Sequence, residues 1–346
     1  MKTSHLYRTT IEPVPEGTPR PLWSVMIPTY NCAKYLQTTL ESVLAQDPGA
    51  DIMQIEVVDD CSTKDDPEAV VAEVGRGRVS FYRQPQNGGH TKNFATCLQR
   101  SRGHLIHLLH GDDCVRDGFY NKLQQAFTQN PQIGAAFCRH LNIDEYGHWQ
   151  AISPLEQQTS GILDNWLERI AVQQRIQTPS IVVRRDVYEK LGAFDHRLSW
   201  TEDWEMWVRI AANYPVWYEV EPLALYRVHS SSNTARYICT GEALRDAHRA
   251  IEIFQSYLPQ ESASKLATQA KEHWALHALY SWTCQIISTE DTMTVINHIR
   301  EVLKCSSSPK VLQRLLRIVA WIGANQTKQI MYRARLLPFK RNTVAS

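Results

Sequence analysis

No stretch of this 346-residue chain approaches the roughly 18 consecutive apolar residues that a membrane-spanning helix requires. Its first residues, MKTSHLYRTTIEPVPEGTPRP, are polar and proline-bearing and lack the apolar core of a secretion signal. The eight cysteines (Cys32, Cys61, Cys97, Cys114, Cys138, Cys239, Cys284, Cys305) contain no Cys-x-x-Cys pair and no zinc-like spacing. That argues against a disulfide framework or structural zinc and leads us to expect a reduced, cytoplasmic setting. Internal repeats and low-complexity tracts are missing too. The turn after the first apolar strand, Pro28-Thr-Tyr-Asn31, has no glycine-rich basic phosphate loop.

What is present is an ordinary soluble composition, 43% hydrophobic and 21% charged, with a net charge of +1 that hides an asymmetry. Residues 301–346 hold nine Lys or Arg against Glu301 alone, a balance of +8 that leaves the rest of the chain at −7. Basic residues there are not interleaved with aromatics along a longer groove, so no nucleic-acid partner is expected.

Apolar runs and turn signals alternate over the first two thirds of the chain. Strands are expected at Trp23 to Pro28, Ile55 to Val58, Val79 to Tyr82 and Leu105 to Leu109, with further ones at Gly134 to Cys138 and Thr178 to Val183. Helical periodicity lies between them, at 33–46, 67–74, 91–100, 118–130, 186–191 and 203–213, while 142–178 reads as less regular. The order predicts an α/β fold with a doubly wound, mainly parallel, Rossmann-like sheet. Beyond about residue 235 the pattern turns wholly helical, first along Leu244, Ala247, Ile251 and Phe254. We therefore expect an irregular leader (1–21), a catalytic domain (22–234) and a helical C-terminal extension with a basic tail (235–346).

Three acidic sites fall at the ends of these elements: Asp59-Asp60, Asp112-Asp113 and Glu202-Asp203. At the carboxyl ends of strands in an open sheet, acids face a crevice where ligands bind. Each also has a plainer reading, as a turn or cap for Asp59-Asp60 and as an N-terminal helix charge for Glu202-Asp203.

Taken together, Ser24-Val-Met-Ile-Pro-Thr-Tyr-Asn31, Val57-Val-Asp-Asp-Cys-Ser62, Gln86-Asn-Gly-Gly89 with Lys92-Asn93, and Gly111-Asp-Asp113 resemble the family 2 inverting glycosyltransferases of the GT-A fold. Val183 to Asp195, Glu202-Asp-Trp-Glu-Met-Trp-Val-Arg209 and Leu225-Tyr-Arg-Val-His229 extend the resemblance over about residues 22–234. It implies a nucleotide-sugar donor, UDP-linked by preference, and a saccharide or lipid-linked acceptor in surface polysaccharide or glycoconjugate synthesis. Tyr30 would stack on the base, beside the backbone of Pro28, Thr29 and Asn31. Asp60, supported by Asp59, would accept from the base, Asn87 would shape the turn, and Lys92 would offer charge to the diphosphate. Asp113 would bind Mn²⁺ or Mg²⁺, with His229 completing that site and Asp112 orienting the sugar or a metal-bound water. Asp203, or failing it Glu202, would be the base, in a cleft that Trp200, Trp204 and Trp207 either wall or leave for the core.

Two departures from the family stand out. His110 stands where a further acid is common, which puts metal binding in question, and Cys61 replaces the usual glycine. Cys61 and Cys114 read as structural, having no nucleophile arrangement around them. A sugar-1-phosphate nucleotidyltransferase and a non-catalytic saccharide-binding relative are the alternatives. The first lacks its phosphate loop here, and the second is opposed by the survival of all three acidic sites. Leu312, Leu315, Leu316, Val319 and Ile322 are expected on one helical face, either packed on the preceding helices or lying with the basic tail as a peripheral contact on the inner face of a membrane.

Overall fold

A computed structural model describes residues 4–229, 234, 237–238, 241–282 and 292–321. The apolar runs become strands β1 (Trp23–Thr29), β2 (Met53–Asp59), β3 (Ser80–Arg83) and β4 (Leu105–Leu108), paired in parallel in the order β3-β2-β1-β4. Helices α1 (Ala33–Leu44), α2 (Pro67–Gly75) and α3 (His90–Arg100) make the crossovers. Strands buried on both faces read as continuous apolar sequence, and β1 is buried along its whole length. Its side chains alternate: Val25 and Ile27 pack with α1 on one face, while Met26 packs with Phe94 and Leu98 of α3 on the other.

Past β4 come β5 (Cys114–Val115), α4 (Phe119–Gln129), β6 (Ala135–Ile143), β7 (Trp149–Ile152), β8 (Gly161–Ile162) and α5 (Trp166–Val172). Then follow β9 (Ile181–Arg184), α6 (Arg185–Leu191), α7 (Glu202–Ala211) and β10 (Val216–Arg227). The sheet continues as β4-β9-β6-β10-β5, with β9 antiparallel to both neighbours and β6 parallel to β10. Strand β10 is not apparent in the sequence because Pro222 interrupts it. Register shifts between Glu219, Pro222 and Ala224 show how the sheet takes up a residue that cannot donate to the ladder. The stretch expected to be irregular holds β7, β8 and α5, all of them short.

The leader has no long element but is pinned: Ile11 is buried, and Thr9 and Tyr7 accept backbone bonds from Ala193 and His196. At the other end, α8 (Glu242–Phe254), α9 (Gln260–His277), α10 (Thr292–Cys305) and α11 (309–321) are helical as expected. Leu244, Ala247, Ile251 and Phe254 are all buried, in the same core cluster as Trp204 and Met206 of α7. The face expected to pack in α11 is rotated: Val311 and Ile318 are buried and Leu315 of the expected stripe packs half-buried against the same core, while Leu312, Leu316 and Val319 are exposed. Two apolar stripes lie side by side on this helix, and the core takes the one that faces it. Ile322 and the basic residues from Lys328 to Arg341 lie outside the described residues.

Candidate active site

The carboxyl ends of β1, β2 and β4 meet at one edge of the sheet. The Pro28 carbonyl accepts the Gly111 N–H at 3.1 Å, and the Thr29 carbonyl accepts the Asp60 N–H at 2.9 Å. An added Cβ on Gly111 would lie 2.9 Å from Thr29 Oγ1 and 3.0 Å from Cys32 Sγ, so only glycine lets the loops after β1 and β4 approach this closely. Pro28 and Thr29 are buried, and Tyr30 beside them is 46% exposed. Asn31 is turned into the protein: its Oδ1 accepts the N–H groups of Thr63 and Lys64, each at 2.9 Å, which fixes the loop after β2.

Asp59 is fully buried, accepting from Arg83 Nε at 2.9 Å and from Ser62. Asp60 takes the Gly88 N–H on one oxygen at 2.8 Å and the Gly89 N–H on the other at 2.9 Å, while Asn87 Nδ2 donates to its carbonyl at 3.0 Å. Gly89 has φ +83°, a conformation that favours glycine. Asp60 therefore organises the Asn87-Gly88-Gly89 turn, and a carboxylate has further lone pairs for a ligand donor. Lys92, one turn into α3, is exposed, with its stem against Gly88.

At the end of β4, Asp113 is 1% exposed; its Oδ1 accepts the Arg227 N–H at 2.7 Å, and its Oδ2 is buried without a hydrogen-bond partner. Asp112 Oδ2 lies 3.1 Å from His229 Nε2, and its carbonyl accepts from Arg227 Nε at 2.7 Å. Burial, and then the charge of Asp112, push the Asp113 carboxyl well above its ordinary range. For Asp112 burial acts in the same upward direction but is outweighed by the His229 hydrogen bond and by the charges of His110 and His229, so its carboxyl is held low.

Donor atoms of His110, Asp112 and Asp113 lie within 4.8 Å of one another. The set fits a divalent cation: two adjacent carboxylates in repulsion, one bare buried oxygen, and an imidazole whose Nδ1 is 3.6 Å from that oxygen. His229, expected to complete the metal site with Asp113, pairs with Asp112 of the same cluster. His110, which the sequence marks as a lost acid, is the third donor within 4.8 Å.

Glu202 and Asp203 open α7. Asp203 Oδ2 accepts from Gln174 Nε2 at 2.9 Å and from the Thr178 hydroxyl at 3.5 Å, and its Oδ1 accepts the Trp204 N–H at 2.6 Å. Burial, then the neighbouring Glu202 charge, push its pKa up to about 8. Glu202 Oε1 pairs with His90 Nε2 at 3.1 Å, and its other oxygen is buried and bare. Burial would raise Glu202, but the His90 charge and hydrogen bond prevail and lower it. From His90 the contacts run on through Phe94, 5.7 Å away, to His110, stacked on Phe94 at 5.2 Å. The acids of α7 and those of β4 thus border one region.

Trp204 and Trp207 do not wall a cleft. They are 0% and 2% exposed, and Trp204 is packed between Phe254 and Trp274. Trp200 is half-buried against Trp274. His90, Gln174, Thr178 and Arg227 are neighbours of these acids that sequence reading misses, since only the fold brings them together.

Residues 24–192 match the family model described as Glycosyl transferase family 2. An uncharacterised protein of Mycobacterium tuberculosis is 27% identical over 250 residues, covering 66% of this chain and 74% of that one. An uncharacterised glycosyltransferase of Rickettsia typhi is 26% identical over 225 residues, covering 63% and 68%. Among solved structures, S. aureus TarS 1–349 in complex with UDP-GlcNAc superposes with TM-score 0.64 at 17% identity, over 84% of this chain and 82% of that one. Mannosyltransferase PcManGT from Pyrobaculum calidifontis, in complex with GDP-Man and Mn²⁺, gives 0.55 at 17% identity, over 90% and 84%. At such identities the structural likeness is one of fold.

Proposed function

We propose that this glycosyltransferase, whose residues 24–192 form a family 2 domain on a GT-A-type fold, moves a sugar from a nucleotide-sugar, UDP-linked by preference, to a saccharide or lipid-linked acceptor with inversion. The observation that carries the reading is the meeting of three acidic groups, Asp60, Asp112-Asp113 and Glu202-Asp203, around one edge of the sheet. Named donors of the structural neighbours, UDP-GlcNAc and GDP-Man, belong to the same chemical class.

In this reading Tyr30 stacks on the base while Asp60 and the Gly88-Gly89 turn hold the nucleoside. Lys92 lends positive charge to the diphosphate as a point charge without a bidentate fork. His110, Asp112 and Asp113 would hold a divalent ion, Mn²⁺ or Mg²⁺, whose chemistry when bound is to neutralise charge on the diphosphate. Asp203 takes the proton from the acceptor hydroxyl. The acceptor oxygen then bonds to the anomeric carbon from the face opposite the nucleotide, and the bond to the diphosphate oxygen breaks as the nucleoside diphosphate leaves. The setting proposed is the cytoplasm, with the basic tail as a peripheral contact on the membrane in surface polysaccharide or glycoconjugate assembly.

A thermal-shift panel of UDP-glucose, UDP-GlcNAc and GDP-mannose with Mn²⁺ tests the donor class: at least one should raise the melting temperature, and none doing so would refute the reading. Asp113→Ala should weaken UDP binding by about tenfold or more in Mn²⁺, with little change in chelator, as expected for a group acting through the ion. Equal weakening in both conditions would remove Asp113 from the metal site.

A further inference from the structure

The helix that carries Glu202 and Asp203 is capped in an indirect way. Thr201 stands at its N-cap, where a threonine hydroxyl ordinarily accepts an N–H two or three residues on. That hydroxyl makes no cap; it donates to Asp246 of α8, 2.9 Å away. The Trp204 N–H it would have taken is held by Asp203 Oδ1, so the second carboxylate oxygen of Asp203 faces Gln174 and Thr178.

Asp246 is built for this task. It is 5% exposed on a helix whose inward face is otherwise Leu244, Ala247, Ala250, Ile251 and Phe254, a place where apolar packing alone would have no use for a charge. Besides the Thr201 hydroxyl it receives three successive backbone N–H groups, those of Ser199 at 3.2 Å, Trp200 at 2.8 Å and Thr201 at 2.8 Å. These fix the loop from which α7 starts.

We infer that Asp246 is a positioning residue for sugar transfer: by clamping the 199–201 loop and holding Thr201 Oγ1 toward itself, away from the Trp204 N–H that its lone pairs could accept, it leaves Asp203 to cap its own helix and so sets the direction of the base. The C-terminal helices, which lie beyond the matched family region, thereby take part in catalysis. The inference rests on Asp203 being the base proposed above.

The test compares full-length Asp246→Ala, Asp246→Asn, Asp203→Asn and a packing control, Ile251→Ala. UDP binding with Mn²⁺ counts the folded sites, and nucleoside diphosphate release is measured from the donor that the panel identifies. In a crystal structure of Asp246→Ala the Thr201 hydroxyl should take the Trp204 N–H and displace Asp203 Oδ1. Turnover per UDP-binding site should fall by about tenfold or more, as a misdirected catalytic group predicts, with UDP affinity within about threefold of wild type. Asp246→Asn, which is isosteric, should fall between the two. Ile251→Ala should lose stability yet keep turnover per site. An Asp203 Oδ1 still on the Trp204 N–H, or unchanged turnover per site in Asp246→Ala, overturns the inference; if the alanine variant does not fold, unchanged turnover in Asp246→Asn does so. Should Asp203→Asn itself retain turnover, the base assignment fails and the inference falls with it. Loss in Asp203→Asn beside full activity in Asp246→Ala would refute the positioning role alone.

Discussion

Burial and then the Glu202 charge push the pKa of the Asp203 carboxyl up to about 8, against the hydrogen bonds from Trp204, Thr178 and Gln174. A base must be unprotonated, so kcat/KM should climb with pH and level off above about 8. Glu202→Gln, which removes the neighbouring charge, should move that limb to lower pH; an unmoved limb would separate the limb from Asp203. Linkage gives a second sign. The folded pKa lies above the unfolded value, so the stability it contributes is full below pH 3.8 and is lost as pH rises through about 8. Asp203→Asn should therefore raise the melting temperature more at pH 9 than at pH 4. Cys61 presents the opposite case, a local strain with no chemistry attached. With φ +61° it occupies the left-handed region, so Cys61→Gly should cost nothing and can stabilise by up to about 1 kcal/mol. Urea midpoints would show this, and a clear loss of stability would mean that the thiol's packing outweighs the strain.

At the scale of elements, α7 is held from several sides. Trp204 donates from Nε1 to the Ile170 carbonyl at 2.6 Å and packs edge-on against Phe254 at 4.9 Å, and Arg209 pairs with Glu205 at 2.9 Å in the interior. Trp204→Ala should cost about 3–5 kcal/mol, the usual range for a buried tryptophan, read by chemical denaturation. A loss under about 1 kcal/mol would show that the neighbours collapse into the space. The parallel strands β1, β2, β3 and β4 and the helices between them could be read from the sequence, because a doubly covered strand is a short apolar run and its crossover helix has a 3.6-residue period. Strand β10 could not, because Pro222 suggests an interruption that a register shift in fact absorbs. The same contrast holds at the site. The three acidic pairs stand out where strands and helices end, whereas His90 reaches Glu202 through a spatial contact with no sequence period; His110 is visible beside Asp112 and Asp113 in the sequence, but there it reads as a lost acid and not as a donor of the cluster. The tryptophans point two ways in the sequence, toward a sugar wall and toward a core; Trp204 and Trp207 go to the core, and Trp200 is half-buried.

Across the whole molecule one apolar cluster runs from α3 and the sheet through α7 to α8, α9 and α10. The helical region is thus packed on the glycosyltransferase fold as part of a shared interior, and Asp246 gives that packing a polar contact with the loop that precedes Glu202 and Asp203. Charge is segregated in the opposite sense. Acids gather at the sheet edge, and the basic excess lies in residues 301–346. No helix among the described residues is long and apolar enough to cross a membrane. The central claim, that the acids at the sheet edge transfer a sugar with Asp203 as base, is tested most directly by nucleoside diphosphate release with Mn²⁺ from the donor that binds, in wild type and Asp203→Asn at matched UDP occupancy. The account predicts that turnover falls by about 10²-fold or more while UDP affinity stays within about threefold. Turnover by Asp203→Asn at the wild-type rate would contradict it.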